Sequence, residues 1–211
     1  MTLALRPWLD QCPLVAILRG LRPDEAIAMG EAIVGNGIPV LEVPLNSPEP
    51  LDSIRRLAAH FGDRALVGAG TVIDPADVSR IAQAGGRLIV TPHADPAVTR
   101  EAKRLGLLAV PGFFTPTEAF ALLSAGADGL KLFPAEAASP GVLKAMLAVL
   151  PKGTPILPVG GIGTGNMAPW RAAGAAGFGI ASALFKPGDA PDTVAARARA
   201  LRQAWQDAAP G

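Results

Sequence analysis

Two ionisable residues stand inside apolar runs of this sequence: Lys131 in Asp128-Gly129-Leu130-Lys131-Leu132-Phe133-Pro134, and Glu42 in Leu41-Glu42-Val43-Pro44-Leu45. A lysine in water has a pKa of about 10.4, so at pH 7 only a few parts in ten thousand are neutral and able to attack a carbonyl. Desolvation disfavours the ammonium, and a pKa drawn down to about 7–8 raises the amine fraction by roughly two to three orders of magnitude, the usual route to a Schiff-base lysine. The plain structural alternative is a lysine that snorkels from a strand end, its stem packed and its ammonium wet. Glu42 mirrors the lysine. Burial raises a carboxyl pKa and a nearby ammonium lowers it, and the balance leaves a group that both takes and gives protons near neutrality. Carbinolamine formation, loss of water and C–C cleavage each move a proton, so an amine and such a carboxyl form a working set.

Other polar groups end apolar runs in the same way. Arg19 closes Ala16-Ile17-Leu18-Arg19 and Thr71 closes Gly68-Ala69-Gly70-Thr71. Taken singly, Arg19 and Glu42 make a structural ion pair and Thr71 caps the next helix. Taken together, they bring a cation, a carboxylate, a hydroxyl and an amine to strand ends. Late in the chain, Pro158-Val159-Gly160-Gly161-Ile162-Gly163 and Phe178-Gly179-Ile180-Ala181-Ser182 are glycine-rich turns. There Gly160, Gly161 and Gly179 let backbone N–H groups approach an anion, a following helix N-terminus adds a favourable dipole, and Ser182 adds a hydroxyl donor. The two histidines, His60 and His93, form no close pair, and Cys12 is the single cysteine. A metal-free imine route is therefore expected over a metal-stabilised enolate. His60 reads as a solvated helix end, His93 as a loop residue and Cys12 as a small buried hydrophobe.

The elements that must position these groups recur at a regular pitch. Strand-like runs occupy Leu14–Leu18, Ile38–Val43, Ala65–Gly68, Leu88–Thr91, Leu107–Val110, Gly129–Phe133, Ile156–Val159 and Gly177–Ala181. Between them lie helix starts such as Pro23-Asp24-Glu25, Pro75-Ala76-Asp77 and Thr115-Pro116-Thr117-Glu118, the last a capping box. Eight strands alternating with helices give an α/β chain of the (β/α)8 TIM-barrel class, a single domain over residues 1–211 with Leu3–Gln11 as a short leading helix. A doubly wound open sheet is the alternative, disfavoured because no Gly-x-Gly-x-x-Gly follows the first strand. In a barrel, chemistry gathers at the C-terminal ends of the strands, where Arg19, Glu42, Thr71 and Lys131 fall.

With 211 residues, 50% of them hydrophobic, the chain can bury a substantial core. Only 18% are charged and the mean hydropathy is positive, which hints at apolar surface covered by other subunits. A formal charge of +1 without a long basic run argues against nucleic acid or a membrane surface as partner. The lone cysteine and the absence of a signal-like start lead to the expectation of a cytoplasmic protein.

Ala16-Ile17-Leu18-Arg19-Gly20, Glu42-Val43-Pro44-Leu45-Asn46-Ser47-Pro48, Gly68-Ala69-Gly70-Thr71-Val72, Ile89-Val90-Thr91-Pro92, Lys131-Leu132-Phe133-Pro134 and Val159-Gly160-Gly161, in this order, resemble the 2-keto-3-deoxy-6-phosphogluconate/galactonate aldolase family over nearly the whole chain. The resemblance implies a class I aldolase that splits a phosphorylated 2-keto-3-deoxy sugar acid into pyruvate and D-glyceraldehyde 3-phosphate, without a cofactor, as a homotrimer of barrels. It implies that Lys131 is the Schiff-base lysine and Glu42 the general acid/base. Arg19 and Thr71 then match the keto-acid end, and Gly160, Gly161 and Ser182 the phosphate end. Asn46 and Val159 stand where gluconate-type members commonly carry arginine and threonine, so the galactonate epimer is expected. Losing the threonine hydroxyl at Val159 removes a partner for a substrate hydroxyl, and Arg19 remains as the main charge partner of the carboxylate. Ala181, where relatives often have glycine, bears on the phosphate contacts. The rival readings are the same reaction on the gluconate epimer, a barrel isomerase using Glu42 as base, and a noncatalytic sugar-phosphate sensor.

Overall fold

The computed structural model describes residues 3–208. Its strands are β1 (Leu14–Ile17), β2 (Val40–Pro44), β3 (Leu66–Gly70), β4 (Leu88–Val90), β5 (Leu108–Val110), β6 (Gly112–Phe113), β7 (Leu130–Leu132), β8 (Ile156–Pro158) and β9 (Phe178–Ile180). All the strand pairings are parallel, in the orders β5-β4-β3-β2-β1-β9 and β6-β7-β8. The two groups belong to one closed barrel. β5 and β6 are two pieces of a single strand, interrupted at Pro111, whose carbonyl accepts a hydrogen bond from Lys131 N at 2.9 Å. On the other side, Val159 bridges Gly179 and Ala176 N donates to Ile156 O at 2.9 Å, joining β8 to β9. The open-sheet alternative is thereby ruled out, and each expected strand is present with its ends shifted by a residue or two. Only the extension beyond Pro111 was not anticipated, because proline offers no donor to continue a ladder.

Around the barrel run α2 (Ala26–Val34), α3 (Pro50–Phe61), α4 (Pro75–Gln83), α5 (Pro96–Arg104), α6 (Pro116–Ser124), α7 (Pro140–Val149), α8 (Met167–Ala172) and α9 (Pro191–Asp207). Most begin on a proline, whose fixed φ suits the first turn and whose missing N–H is not needed there. Their caps follow the sequence: Asp74, Asp95, Thr115 and Ser139 each accept a backbone N–H of the helix they precede. At α6 the capping box is complete, with Thr115 Oγ1 accepting from Glu118 N at 3.3 Å and Glu118 Oε2 accepting from Thr115 N at 2.7 Å.

The strands sort their residues by alternation. One set faces the helices and forms the large outer core; the other, including Val15, Val40, Leu66, Leu88, Leu108 and Leu157, fills the barrel interior. The lower end of that interior is stoppered by the leading helix α1 (Arg6–Gln11), through Leu5 just before it and Leu9 within it, 4% and 6% exposed. This helix starts later than the expected Leu3, because Pro7 must lie in a first turn; Leu3 instead packs against the interior cluster. Replacing Leu5 by Ala should cost about 2–4 kcal/mol by urea unfolding, as for other buried leucines. A loss below about 1 kcal/mol would show that the stopper is not part of the core.

Candidate active site

Glu42 lies on β2, paired in register with Ile17 and Gly68, and Lys131 lies on β7 between Gly112 and Leu157. Both point into the barrel, 2% and 5% exposed, and line one enclosed cavity together with Val15, Ile17, Val159 and Gly179. Neighbouring strands make room for them. A Cβ built on Gly70 would collide with the Glu42 carboxylate, and one on Gly68 with the backbone carbonyl of Leu88. The Gly68-Ala69-Gly70 alternation therefore clears the inward face of β3 while Ala69 packs outward in the core.

The electrostatics follow from this burial. Glu42 Oε2 has no hydrogen-bond partner among the described residues, so the Arg19–Glu42 ion pair weighed from the sequence is not what holds it. Burial pushes the Glu42 carboxyl from its ordinary 4.5 to about 7, against the opposing pull of the Lys131 and Arg19 charges. Lys131 moves the other way. Loss of water lowers its pKa, Glu42 opposes the shift and the Arg19 guanidinium reinforces it. The Lys131 Nζ sits 4.6 Å from the centroid of the Phe133 ring, an apolar and weakly attractive neighbour. The result is an amine and a carboxyl whose pKa values are displaced toward each other.

Above this pair the strand-to-helix loops form the mouth. Arg19 is exposed in the turn after β1, and Asn46 is exposed in the turn after β2. Buried Ser47 ties these turns together, its Oγ accepting a hydrogen bond from Gly20 N at 2.9 Å. Gly20, at φ +84°, also packs so closely on the loop after β9 that a Cβ would come 2.6 Å from Pro187 Cγ. Thr71, directly after Gly70, holds φ +55°, a strained conformation for a β-branched residue. It does not cap α4, a task taken by Asp74, whose Oδ1 accepts from Ala76 N at 2.8 Å.

On the far side of the mouth, Gly160 and Gly161 adopt φ +113° and +65°, and Ser182 is exposed in the turn after β9. Asn166 fastens the glycine turn, donating from Nδ2 to Gly161 O at 2.8 Å and accepting at Oδ1 from Gly163 N at 2.9 Å. The helix behind this turn begins only at Met167, after the Asn166 clamp. Gly179 lies within β9, in the barrel wall, as the strand run Gly177–Ala181 led one to expect. A Cβ there would meet Val159 Cγ2 at 2.6 Å and Ile17 Cδ1 at 3.1 Å, so its smallness makes room for both walls of the cavity. Val159 is 6% exposed and lines the cavity.

The remaining candidates lie apart. His60 Nε2 is 2.5 Å from Glu31 Oε1 on the helical exterior, and Cys12 is buried, which pushes its thiol pKa up. His93 is exposed at the mouth, its carbonyl accepting from buried Thr91 Oγ1. Four residues of the site did not stand out in the sequence: Gly70, Ser47, Phe133 and Glu136, whose side chain lies against Gly160 and Gly161. Gly70 had a signal, since glycines two apart in a strand clear one face; the other three act through contacts made only in the fold.

Comparison with known proteins agrees with this geometry. The family profile described as KDPG and KHG aldolase matches residues 6–193. The 2-dehydro-3-deoxy-6-phosphogalactonate aldolase of Escherichia coli K12 is 43% identical over 201 residues, covering 95% of this chain and 98% of its own. A probable 2-dehydro-3-deoxy-6-phosphogalactonate aldolase of Rhizobium meliloti is 46% identical over 193 residues, covering 92% and 91%. A solved structure described as native KDPGal superposes with a TM-score of 0.92 at 43% identity, over 94% of this chain and 96% of that one.

The buried carboxyl makes stability depend on pH. Folded Glu42 keeps its proton up to about 7, whereas the unfolded chain releases it near 4.5. Between these values the folded state holds more protons, so the contribution of Glu42 to stability falls as pH rises through this window. Glu42→Gln should remove that slope, leaving the variant more stable than the parent by up to about 3 kcal/mol at pH 8 and nearly equal to it at pH 4, by urea unfolding. A difference independent of pH would contradict the assignment.

Proposed function

The chain belongs to the KDPG and KHG aldolase family, and we propose that it splits 2-dehydro-3-deoxy-6-phospho-D-galactonate into pyruvate and D-glyceraldehyde 3-phosphate through an imine on Lys131. The observation that carries this reading is the burial of Lys131 and Glu42 along one largely apolar cavity beneath a mouth that offers Arg19 on one side and the glycine turn on the other.

In this mechanism, neutral Lys131 attacks the C2 ketone and the carbinolamine loses water, with Glu42 supplying the proton that makes hydroxide a good leaving group. The protonated imine then draws in the electrons of the breaking C3–C4 bond. Glu42, now a carboxylate, takes the proton of the C4 hydroxyl, and glyceraldehyde 3-phosphate leaves. The enamine that remains takes a proton at C3, and water releases pyruvate and the free amine. A carboxyl with a pKa near neutrality suits both directions of transfer. Arg19 and Thr71 hold the keto-acid end, while Gly160, Gly161 and Ser182 hold the phosphate.

The galactonate epimer is the substrate supported by the relatives of 43% and 46% identity, and by Asn46 and Val159 at the mouth. An apolar wall at Val159 offers no partner to the hydroxyl that a threonine would bind. A homotrimer is part of the proposal, supported by the low charged fraction and by Ile73, Phe114 and Phe120, which are 61%, 37% and 43% exposed. Among the described residues no helix is long and apolar enough to cross a membrane, and we place the enzyme in the cytoplasm.

In an assay coupling pyruvate release to a dehydrogenase, the galactonate epimer should be cleaved with a kcat/KM at least about tenfold above that of the gluconate epimer. The paired change Asn46→Arg and Val159→Thr should narrow or invert that ratio, and Lys131→Met should abolish release of pyruvate from both. Equal turnover of the epimers by the parent would contradict the substrate assignment; activity surviving in Lys131→Met would contradict the mechanism.

A further inference from the structure

We propose that Glu136 is a specificity-determining residue at the anion end of the mouth, its carboxylate weakening the hold of the Gly160-Gly161 turn on a phosphate group. This rests on the reading of that turn as the phosphate end.

Glu136 stands five positions after Lys131, in the short 3-10 turn Ala135–Ala137 that leaves β7. The turn is pinned to the end of β8, because buried Ala135 donates its N–H to Val159 O at 2.8 Å, one residue before the glycines. The side chain of Glu136 lies across both glycines. A Cβ on Gly160 would run into its Oε2 and come 2.7 Å from its Cδ, and a Cβ on Gly161 would come 2.8 Å from its Cγ. Side chains at these two positions would evict Glu136, so their smallness admits its carboxylate beside the turn.

A phosphate monoester carries a charge of about −1.5 to −2 at pH 7. A carboxylate held beside its seat opposes binding, and since Glu136 is exposed the opposition is modest and screened by salt. The consequence falls on one end of the reaction only. Glyceraldehyde 3-phosphate leaves faster and free phosphate competes less well, while pyruvate, held at Lys131 and Arg19, is untouched.

The test uses the parent enzyme and Glu136→Gln, with inorganic phosphate as competitive inhibitor of cleavage, at low ionic strength and in about 1 M salt, where the screening length is about 3 Å. Asp63→Asn removes a fully exposed carboxylate that pairs with Arg87 at the opposite end of the barrel and serves as control. At low ionic strength the inhibition constant for phosphate should fall about two- to fivefold in Glu136→Gln and not in Asp63→Asn, and the difference should vanish in high salt. The KM for pyruvate in the condensation direction should stay the same. Equal inhibition of parent and Glu136→Gln, or an equal gain in Asp63→Asn, would overturn the role of Glu136 while leaving the phosphate end in place. Weaker inhibition together with an altered KM for pyruvate would show a merely structural prop and overturn it too. If phosphate inhibits none of the proteins, the phosphate end itself is misplaced and the inference falls with it.

Discussion

The structure depends on keeping a cation and a carboxyl group out of water in the same barrel. Each is costly to bury alone, and Glu42 has an oxygen without a hydrogen-bond partner among the described residues. The cost is moderated because burial moves both groups toward neutrality, which is also what imine chemistry requires. Much of the surrounding sequence serves this arrangement. Leu5 and Leu9 stopper the lower end, Val15, Ile17 and Leu157 supply apolar walls, and Gly70 gives the carboxylate its space.

From that buried pair outward, the barrel separates reactivity from recognition. The amine and carboxyl sit on strands, where backbone pairing on both sides fixes them. The groups proposed for recognition sit on loops, yet these loops are tied to one another: Ser47 links the Arg19 turn to the Asn46 turn, Gly20 leans on Pro187, and Asn166 fastens the glycine turn. Strained Thr71 belongs to the same design, a hydroxyl held at the mouth in a conformation its own backbone disfavours. Such ties fix the loops around the mouth relative to one another.

Alternation made the barrel legible in the sequence. Apolar runs with turn residues between them marked every strand but β6, proline marked the start of α4, and a capping box with proline marked α6. Lys131 and Glu42 were legible because a charge inside an apolar run is conspicuous without any knowledge of the fold. What could not be read was contact between distant segments. Ser47 is an ordinary turn serine until Gly20 is seen to donate to it, and Glu136 an ordinary exposed acid until it is found across Gly160. For Gly179 the fold adds a contact the sequence could not show: in β9 its lack of a Cβ makes room for Val159. The leading helix was drawn too long because apolar residues before Pro7 fit a helical pattern, although a proline belongs in a first turn and so starts the helix at Arg6.

Trapping the covalent intermediate tests the central claim most directly. Pyruvate and borohydride are added to the native enzyme, and the digest is mapped by mass spectrometry. The account predicts one reduced pyruvyl adduct per chain, on Lys131 alone, and none in Lys131→Met. Labelling of another lysine, or an unmodified Lys131 peptide from enzyme that still releases pyruvate, would contradict it.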